Sequence, residues 1–127
     1  MGSVASRNIP KIMTLDIPKT MTLDIDNDRK IENPTIDALR TAVQSLDVGK
    51  NGYGFVILGL TNMTYIQSSG DKKKGFDLEY QDGSLAKHYR AKESFTADQI
   101  VEIFWNYSQS GAEWKEAAHW EAEPVVR

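Results

Sequence analysis

The chain has 127 residues, of which 40% are hydrophobic and 26% charged, and a formal net charge of -3, as expected for one ordinary globular domain. It contains no cysteine, which excludes disulfide bonds, thiolate metal sites and cysteine nucleophiles. The mild acidity argues against a nucleic-acid or membrane binder, because both need a basic surface. No apolar run approaches the roughly 20 residues of a membrane-spanning helix, and we expect a cytoplasmic protein.

An eight-residue repeat lies near the start of the chain. Residues 9–16 (IPKIMTLD) and 17–24 (IPKTMTLD) are identical at seven of eight positions, and two such short copies are too few for a repeat architecture. We expect only one copy to enter a sheet, with residues 21–26 as the first strand. Residues 1–19 are predicted to be flexible and residues 20–127 to form a single domain. Gly2 fits the loose myristoylation pattern, although an ordinary initiator region explains it more simply.

The next segment predicts a helix over residues 34–47, with Asn33 as the N-cap and Pro34 in the first helical position. Apolar residues recur at helical spacing at Ile36, Leu39, Val43 and Leu46. The glycine-rich segment 49–54 leaves this helix and enters a strand. A phosphate-binding loop has the opposite order, so a helix end with a turn is favoured.

Four strands are predicted in the middle of the chain, at residues 55–60, 63–67, 76–80 and 84–90. Asp82-Gly83 is a strong hairpin signal, and a two-residue turn there would pair Tyr80 with Leu85 and Asp77 with His88. This hairpin has one apolar face. The other face is charged and carries Asp77, Glu79, His88 and Arg90.

A second helix is indicated by Thr96 and Gln99, which form a capping box, and by an apolar stripe that continues to Ser110-Gly111. Residues 112–120 are predicted to add a short helix. The element order β-α-β-β-β-β-α-α predicts an α+β two-layer sandwich, in which an antiparallel sheet of four to five strands has its helices packed on one face.

The charged face is open to two interpretations, a solvated cross-strand cluster or a histidine base beside an aspartate, but no nucleophile motif accompanies His88. His88 and His119 lack the spacing of metal ligands, and we predict no metal, cofactor or catalytic residue. Trp114 and Trp120 lie six residues apart, which one helical face cannot easily bury. Either one of them is exposed, where it could contact a partner, or both close the core, and closure of the core is the favoured interpretation.

The sequence resembles small bacterial α+β proteins of the immunity type (Imm1-like) in several short segments. These are Asn33-Pro34-Thr35-Ile36, Phe55-Val56-Ile57-Leu58, Thr64-Tyr65-Ile66-Gln67, Leu78-Glu79-Tyr80 and a C-terminal tryptophan. The resemblance implies a binding protein that blocks a toxin through a charged or aromatic surface. Asp24, Asp26 and Asp28 could offer an acidic patch to a basic toxin, or could simply be solvated ends of strands.

The first functional hypothesis is a non-enzymatic protein-interaction module, possibly a toxin inhibitor, that acts as a monomer or homodimer without nucleic acid or membrane. Its candidate contact residues are Asp77, Glu79, His88, Arg90, Trp114 and Trp120. The alternative is a small-ligand binder or minor enzyme with a cleft between the sheet and the C-terminal helix. The residues expected near that cleft are Tyr65, Gln67 and Tyr89.

Overall fold

The computed structural model describes residues 20–47 and 54–124. This part of the chain is an α+β domain with one antiparallel sheet of eight strands and three helices. The predicted flexible segment 1–19, with Gly2, and most of the glycine-rich segment 49–54 lie outside the described residues. None of the helices in the described ranges has the length and apolar character needed to cross a membrane.

The strands are β1 (Thr22–Ile25), β2 (Arg29–Glu32), β3 (Phe55–Gly59), β4 (Thr64–Asp71), β5 (Gly75–Phe76), β6 (Glu79–Asp82), β7 (His88–Ala91) and β8 (Trp120–Ala122). The helices are α1 (Ile36–Gln44), α2 (Ala97–Ser108) and α3 (Glu113–Glu116). Along the sheet the strand order is β2-β1-β3-β4-β6-β7-β8, and β5 pairs with β4 beside this path. The α+β class with an antiparallel sheet is confirmed, but the sheet is larger than the four to five strands predicted.

The first strand pair ends in a turn that is attached to β3. Asp26 and Asn27 have φ values of 52° and 57°, a left-handed conformation that aspartate and asparagine tolerate better than most residues. The Asp26 N–H donates to the Phe55 carbonyl at 3.0 Å, and the Phe55 N–H donates to Asp26 Oδ1 at 2.8 Å. These two bonds fix the end of β1 against β3.

Helix α1 begins two residues later than predicted, because Thr35 and not Asn33 is its N-cap: Thr35 Oγ1 accepts from the Ala38 N–H at 3.1 Å. Asn33 instead holds the start of β1. Its side-chain oxygen accepts from the Met21 N–H at 3.0 Å, and its own N–H donates to the Met21 carbonyl at 2.6 Å. The predicted capping box of α2 is confirmed, with both reciprocal bonds between Thr96 and Gln99 present.

The predicted register of the β6–β7 hairpin is wrong by four residues. Tyr80 lies opposite Tyr89 and Gln81 opposite His88, because residues 83–87 form a longer loop in place of the two-residue turn. The Asp82 N–H closes this loop by donating to the Lys87 carbonyl at 3.0 Å. A shift by an even number of residues leaves every side chain on its predicted face.

The two sheet faces differ in what covers them. Helices α1 and α2 contact each other and pack on one face, where consecutive strands contribute the buried row Leu23, Leu58, Ile66 and Tyr80. The alternating side chains point away from these helices. Within the described residues no helix packs on that second face, which we call the open face.

The C-terminal segment differs most from the predicted structure. Helix α3 covers only residues 113–116, and Trp120 begins the edge strand β8, where it lies opposite Ala91 of β7. Asn106 of α2 fixes the start of α3, because its amide donates to Glu113 Oε1 at 2.8 Å and its side-chain oxygen accepts from the Trp114 N–H at 3.0 Å. Trp114 and Trp120 are thus presented by two different elements.

Candidate functional site

The open face gathers polar side chains from six neighbouring strands. The β-ladder register aligns Asp24, Ile57, Gln67, Glu79, Arg90 and Glu121 in one row across the sheet. A second row contains Thr22, Gly59, Tyr65, Gln81 and His88. Four of the predicted contact residues (Asp77, Glu79, His88, Arg90) and two of the predicted cleft residues (Tyr65, Gln67) therefore share one face.

His88 is buried in this face, with only 4% of its surface exposed. Its Nδ1 lies 3.0 Å from Gln81 Oε1, and its Nε2 lies 2.8 Å from Glu79 Oε1. Gln81 is buried too, and its amide nitrogen donates to the Met63 carbonyl at 3.1 Å, so its oxygen is the atom that faces the imidazole. Both ring nitrogens thus face side-chain oxygen atoms.

Arg90 links the acidic groups around this histidine. Its guanidinium lies 2.7 Å from Glu79 Oε2, 3.3 Å from Glu123 Oε1 and 3.5 Å from Asp77 Oδ2. Partial burial acts to lower the pKa of Arg90, but the charge of Glu79, with smaller contributions from Glu123 and Asp77, outweighs it and raises this pKa above its ordinary value. The side chain therefore stays charged and holds three carboxylates in place.

Tyr65 and Gln67 complete the network from β4. The Tyr65 hydroxyl donates to Gln81 Oε1 at 3.3 Å, and the Gln67 amide donates to Glu79 Oε1 at 3.3 Å. Burial and then the charge of Glu79 raise the pKa of Tyr65, which keeps its hydroxyl protonated as a donor. Neither residue lies in the predicted cleft under the C-terminal helix. Tyr89, the third residue expected there, is on the opposite sheet face, stacked on Tyr80 at 4.8 Å.

Two adjoining hollows, of about 450 and 670 Å³, lie along the open face. They share Ile57 and Gln67, so the half-buried Ile57 forms an apolar centre between them. Gly59 has no side chain to fill the space beside Tyr65, where a Cβ at position 59 would lie 2.9 Å from the Tyr65 Cβ. The open face is therefore a shallow groove with an apolar centre.

Charge on the open face is strongly one-sided. Six carboxylates lie on it, those of Asp24, Glu32, Asp77, Glu79, Glu121 and Glu123. Among the described residues of this face, only Lys30 and Arg90 oppose them as permanently charged basic groups, which leaves four net negative charges. The whole chain has a formal charge of -3, so the acidity of the protein is concentrated here. Of the predicted aspartate patch only Asp24 belongs to this face, because Asp26 is bonded to Phe55.

Glu79, His88 and Glu123 bring three potential metal ligands within 4.8 Å of one another. Arg90 lies between the two carboxylates and contacts both of them. A guanidinium in that position supplies the positive charge that a metal ion would supply. This arrangement favours an ion-pair network over a metal centre.

An aromatic cluster lies on the helix-covered side of the sheet and consists of Tyr80, Tyr89, Tyr107, Trp114 and Trp120. Trp114 and Trp120 both meet the Tyr80 ring edge-to-face, with ring centres 4.9 and 4.7 Å apart. Both tryptophans are half-buried and pack on Tyr80, which agrees with closure of the core better than with one exposed tryptophan. The cluster forms because β8 brings Trp120 back to the sheet beside Trp114.

Searches against protein-family models, curated proteins and solved structures give no match to this chain.

Three residues of these sites, Gln81, Glu121 and Glu123, are not predicted from the sequence to contribute to them. Gln81 flanks the predicted two-residue turn, opposite Ser84, although it has the same strand parity as Glu79 and so belongs on the charged face. Glu121 and Glu123 follow the predicted helix 112–120, where no strand is predicted. The alternation of Ile66 with Tyr65 and Gln67 was an available signal, since a buried Ile66 turns both neighbours away from the core.

Proposed function

We propose that this chain is a non-enzymatic protein-binding module that contacts a basic partner protein with its open face. The observation that carries the proposal is a sheet face that no helix of residues 20–47 and 54–124 covers, on which four net negative charges surround an apolar centre at Ile57. Protein interfaces commonly combine an apolar centre with a polar rim. Complementary charge accelerates association and discriminates between partners.

The rigidity of the charged network supports binding. Arg90 holds Asp77, Glu79 and Glu123, and the latter two belong to β6 and to the end of the segment after β8. Side chains that are already fixed lose little conformational entropy when a partner arrives. The open face therefore presents its acidic groups in a preorganised arrangement.

The same contacts favour binding over catalysis. A general base needs a nitrogen or oxygen that can reach a substrate proton. Both nitrogens of His88 are committed to Gln81 and Glu79, and the Glu79 carboxylate already accepts from Gln67, His88 and Arg90. The network thus satisfies its own members and leaves the histidine buried.

The partner class follows from charge and from the immunity-protein resemblance. A toxin that acts on nucleic acid carries a basic surface, since it must neutralise phosphates. An acidic face of this kind suits such a surface, and its occupation would exclude the nucleic acid. We therefore propose a basic toxin as the partner and inhibition by direct occlusion as the mechanism.

The experiment has two stages. The wild-type chain is first immobilised and used to capture partners from lysate of the source cells, and the retained protein is identified and purified. Association and dissociation rates are then measured for wild type, Glu121→Lys and Glu102→Lys. Glu102 is a matched control, because it is an exposed carboxylate on α2, away from the open face.

We expect Glu121→Lys to slow association several-fold at low salt, with a smaller effect above about 0.15 M, where surface charges are screened. Glu102→Lys should change neither rate appreciably. The proposal is wrong if the two variants behave alike or if the captured partner has an acidic contact surface. Ile57→Arg provides a second arm, since it places a cation at the apolar centre and should speed dissociation.

A further inference from the structure

A cavity of about 200 Å³ lies on the helix-covered side of the sheet, at the opposite side from the open face. It is partly open to solvent and lies between the end of β6 and the segment that joins α2 to α3. Its lining includes Tyr80, Asp82, Tyr107, Trp114 and Lys115. Of the residues in the open-face network, only Gln81 also lines this cavity.

Three aromatic rings form its walls at steep angles to one another. Trp114 meets Tyr80 with ring centres 4.9 Å apart and an interplanar angle of 82°, and it meets Tyr107 at 5.1 Å and 67°. All three rings line the cavity, and the Lys115 ammonium group lies over two of them, Tyr80 and Trp114. Aromatic cages of this kind bind quaternary ammonium groups through cation–π attraction.

The electrostatics of the cavity also favour a cation. Burial is the main cause that raises the pKa of Tyr80 and of Tyr107; the charge of Asp82 adds to it at both residues, after that of Tyr89 at Tyr80. Lys115 already places a cation beside two of these rings. Its Nζ lies 5.5 Å from the Tyr80 ring centre and 5.6 Å from the Trp114 ring centre, inside the ~6 Å range of a cation–π contact.

The position of Lys115 is fixed by its backbone. Its carbonyl accepts from Trp120 Nε1 at 2.8 Å, so the residue stays beside the cavity while its side chain remains exposed and free to swing into solvent. An exposed lysine side chain retains many rotamers. A ligand cation can therefore replace the ammonium group without moving the backbone.

We propose that this cavity binds a quaternary ammonium group on Tyr80, Tyr107 and Trp114, with Asp82 as the counter-charge and Lys115 as an internal competitor. The volume sets the ligand class, because sites for drug-sized molecules usually occupy about 300–1,000 Å³. A cavity of about 200 Å³ accommodates a headgroup and little more. Both a free choline-like compound and a trimethylated lysine side chain carry this chemistry.

The test uses the full chain and three probes in NMR titrations that follow the indole N–H signals. The probes are choline, its uncharged carbon isostere 3,3-dimethyl-1-butanol, and a short peptide with trimethyl-lysine. We expect choline to bind and the isostere to bind at least several-fold more weakly, since only the charge differs. Binding of the peptide more tightly than choline would identify a protein-borne group, and the reverse order a free compound.

Variants test the assigned roles. Lys115→Ala should tighten choline binding about two- to fivefold, because it removes a competing cation–π contact. Lys87→Ala, in the β6–β7 loop, is the matched control and should leave the affinity unchanged. Asp82→Asn should weaken binding, and its thermal unfolding midpoint establishes that it is folded.

The proposal is overturned if choline and its isostere bind equally, or if Lys115→Ala weakens binding or leaves it unchanged. It is also overturned if neither wild type nor folded Lys115→Ala binds any of the cations. The cavity and the open face lie on opposite sides of the sheet, so these results do not bear on the proposed function. A failure of the Glu121→Lys experiment, in turn, does not bear on ligand binding in the cavity.

Discussion

Tyr107 provides a quantitative test of the aromatic cluster. Burial, and then the charge of Asp82, raise its pKa from 10.0 to about 12 in the folded protein. The folded state therefore favours the neutral phenol more strongly than the unfolded state does. The stability that results is fully present below pH 10 and is lost as the pH rises toward 12.

The size of this effect follows from the two pKa values. With 10.0 for the unfolded chain and about 12 for the folded one, the contribution of Tyr107 falls by about 1.3 kcal/mol between pH 9 and pH 11. Only 8% of the residue is exposed, so solvent screening reduces this figure little. The Tyr107→Phe variant keeps the ring that packs on Trp114 but has no group to ionise.

The assay is urea unfolding of wild type and Tyr107→Phe at pH 9 and pH 11, followed by tryptophan fluorescence. We expect the wild type to lose about 1.3 kcal/mol more than Tyr107→Phe over this interval. Tyr89→Phe serves as the comparison, because it leaves Tyr107 in place and should keep more of the wild-type loss than Tyr107→Phe does. An equal loss in wild type and Tyr107→Phe would refute the assignment of a desolvated hydroxyl to Tyr107.

Three further predictions concern stability. Thr96→Ala removes the capping oxygen of α2 and should lower the free energy of unfolding by about 1 kcal/mol in urea titrations, while Thr96→Ser should not. Gly70→Ala would place a Cβ 2.1 Å from the Gly75 carbonyl oxygen at a φ of 139°, so its thermal midpoint should fall far below that of Gly83→Ala, whose Cβ meets nothing within 4 Å. Asp26→Pro should lower the thermal midpoint, because it removes both hydrogen bonds to Phe55. Deletion of residues 9–16 should leave the midpoint unchanged, and an equal decrease in both variants would contradict this prediction.

The parts of the fold that could be predicted rest on strong local signals. The capping box at Thr96 and Gln99 placed the start of α2 correctly, and the apolar run from Phe55 predicted a central strand. The missing strands lack such signals. β2 contains a single apolar residue, Ile31, and Trp120 ends the predicted helix 112–120, although pairing with β7 places it in a strand. Edge pairing of this kind is a tertiary effect that local patterns do not encode.

The charged face could be predicted although its register was wrong. Asp77, Glu79, His88 and Arg90 were expected together, and the shift of four residues left them together, because side chains alternate with a period of two. Burial of His88 was not predictable, since it depends on Gln81 and Tyr65 being brought over it by β6 and β4. The acidic contributions of Glu121 and Glu123 depend in turn on β8.

The bonds between Asp26 and Phe55 also distinguish the two copies of the N-terminal repeat. Residues 13–17 and 21–25 have the same sequence, MTLDI, so either copy has the side chains that β1 needs. The residue that follows is Pro18 after the first copy and Asp26 after the second. Proline is restricted to φ near -65° and has no N–H, so it can neither adopt the φ of 52° nor donate to the Phe55 carbonyl. The residue after each copy therefore decides which copy can serve as β1, and only the copy followed by Asp26 can make the contacts to Phe55. The folded domain has one defined first strand although the chain carries the repeat twice.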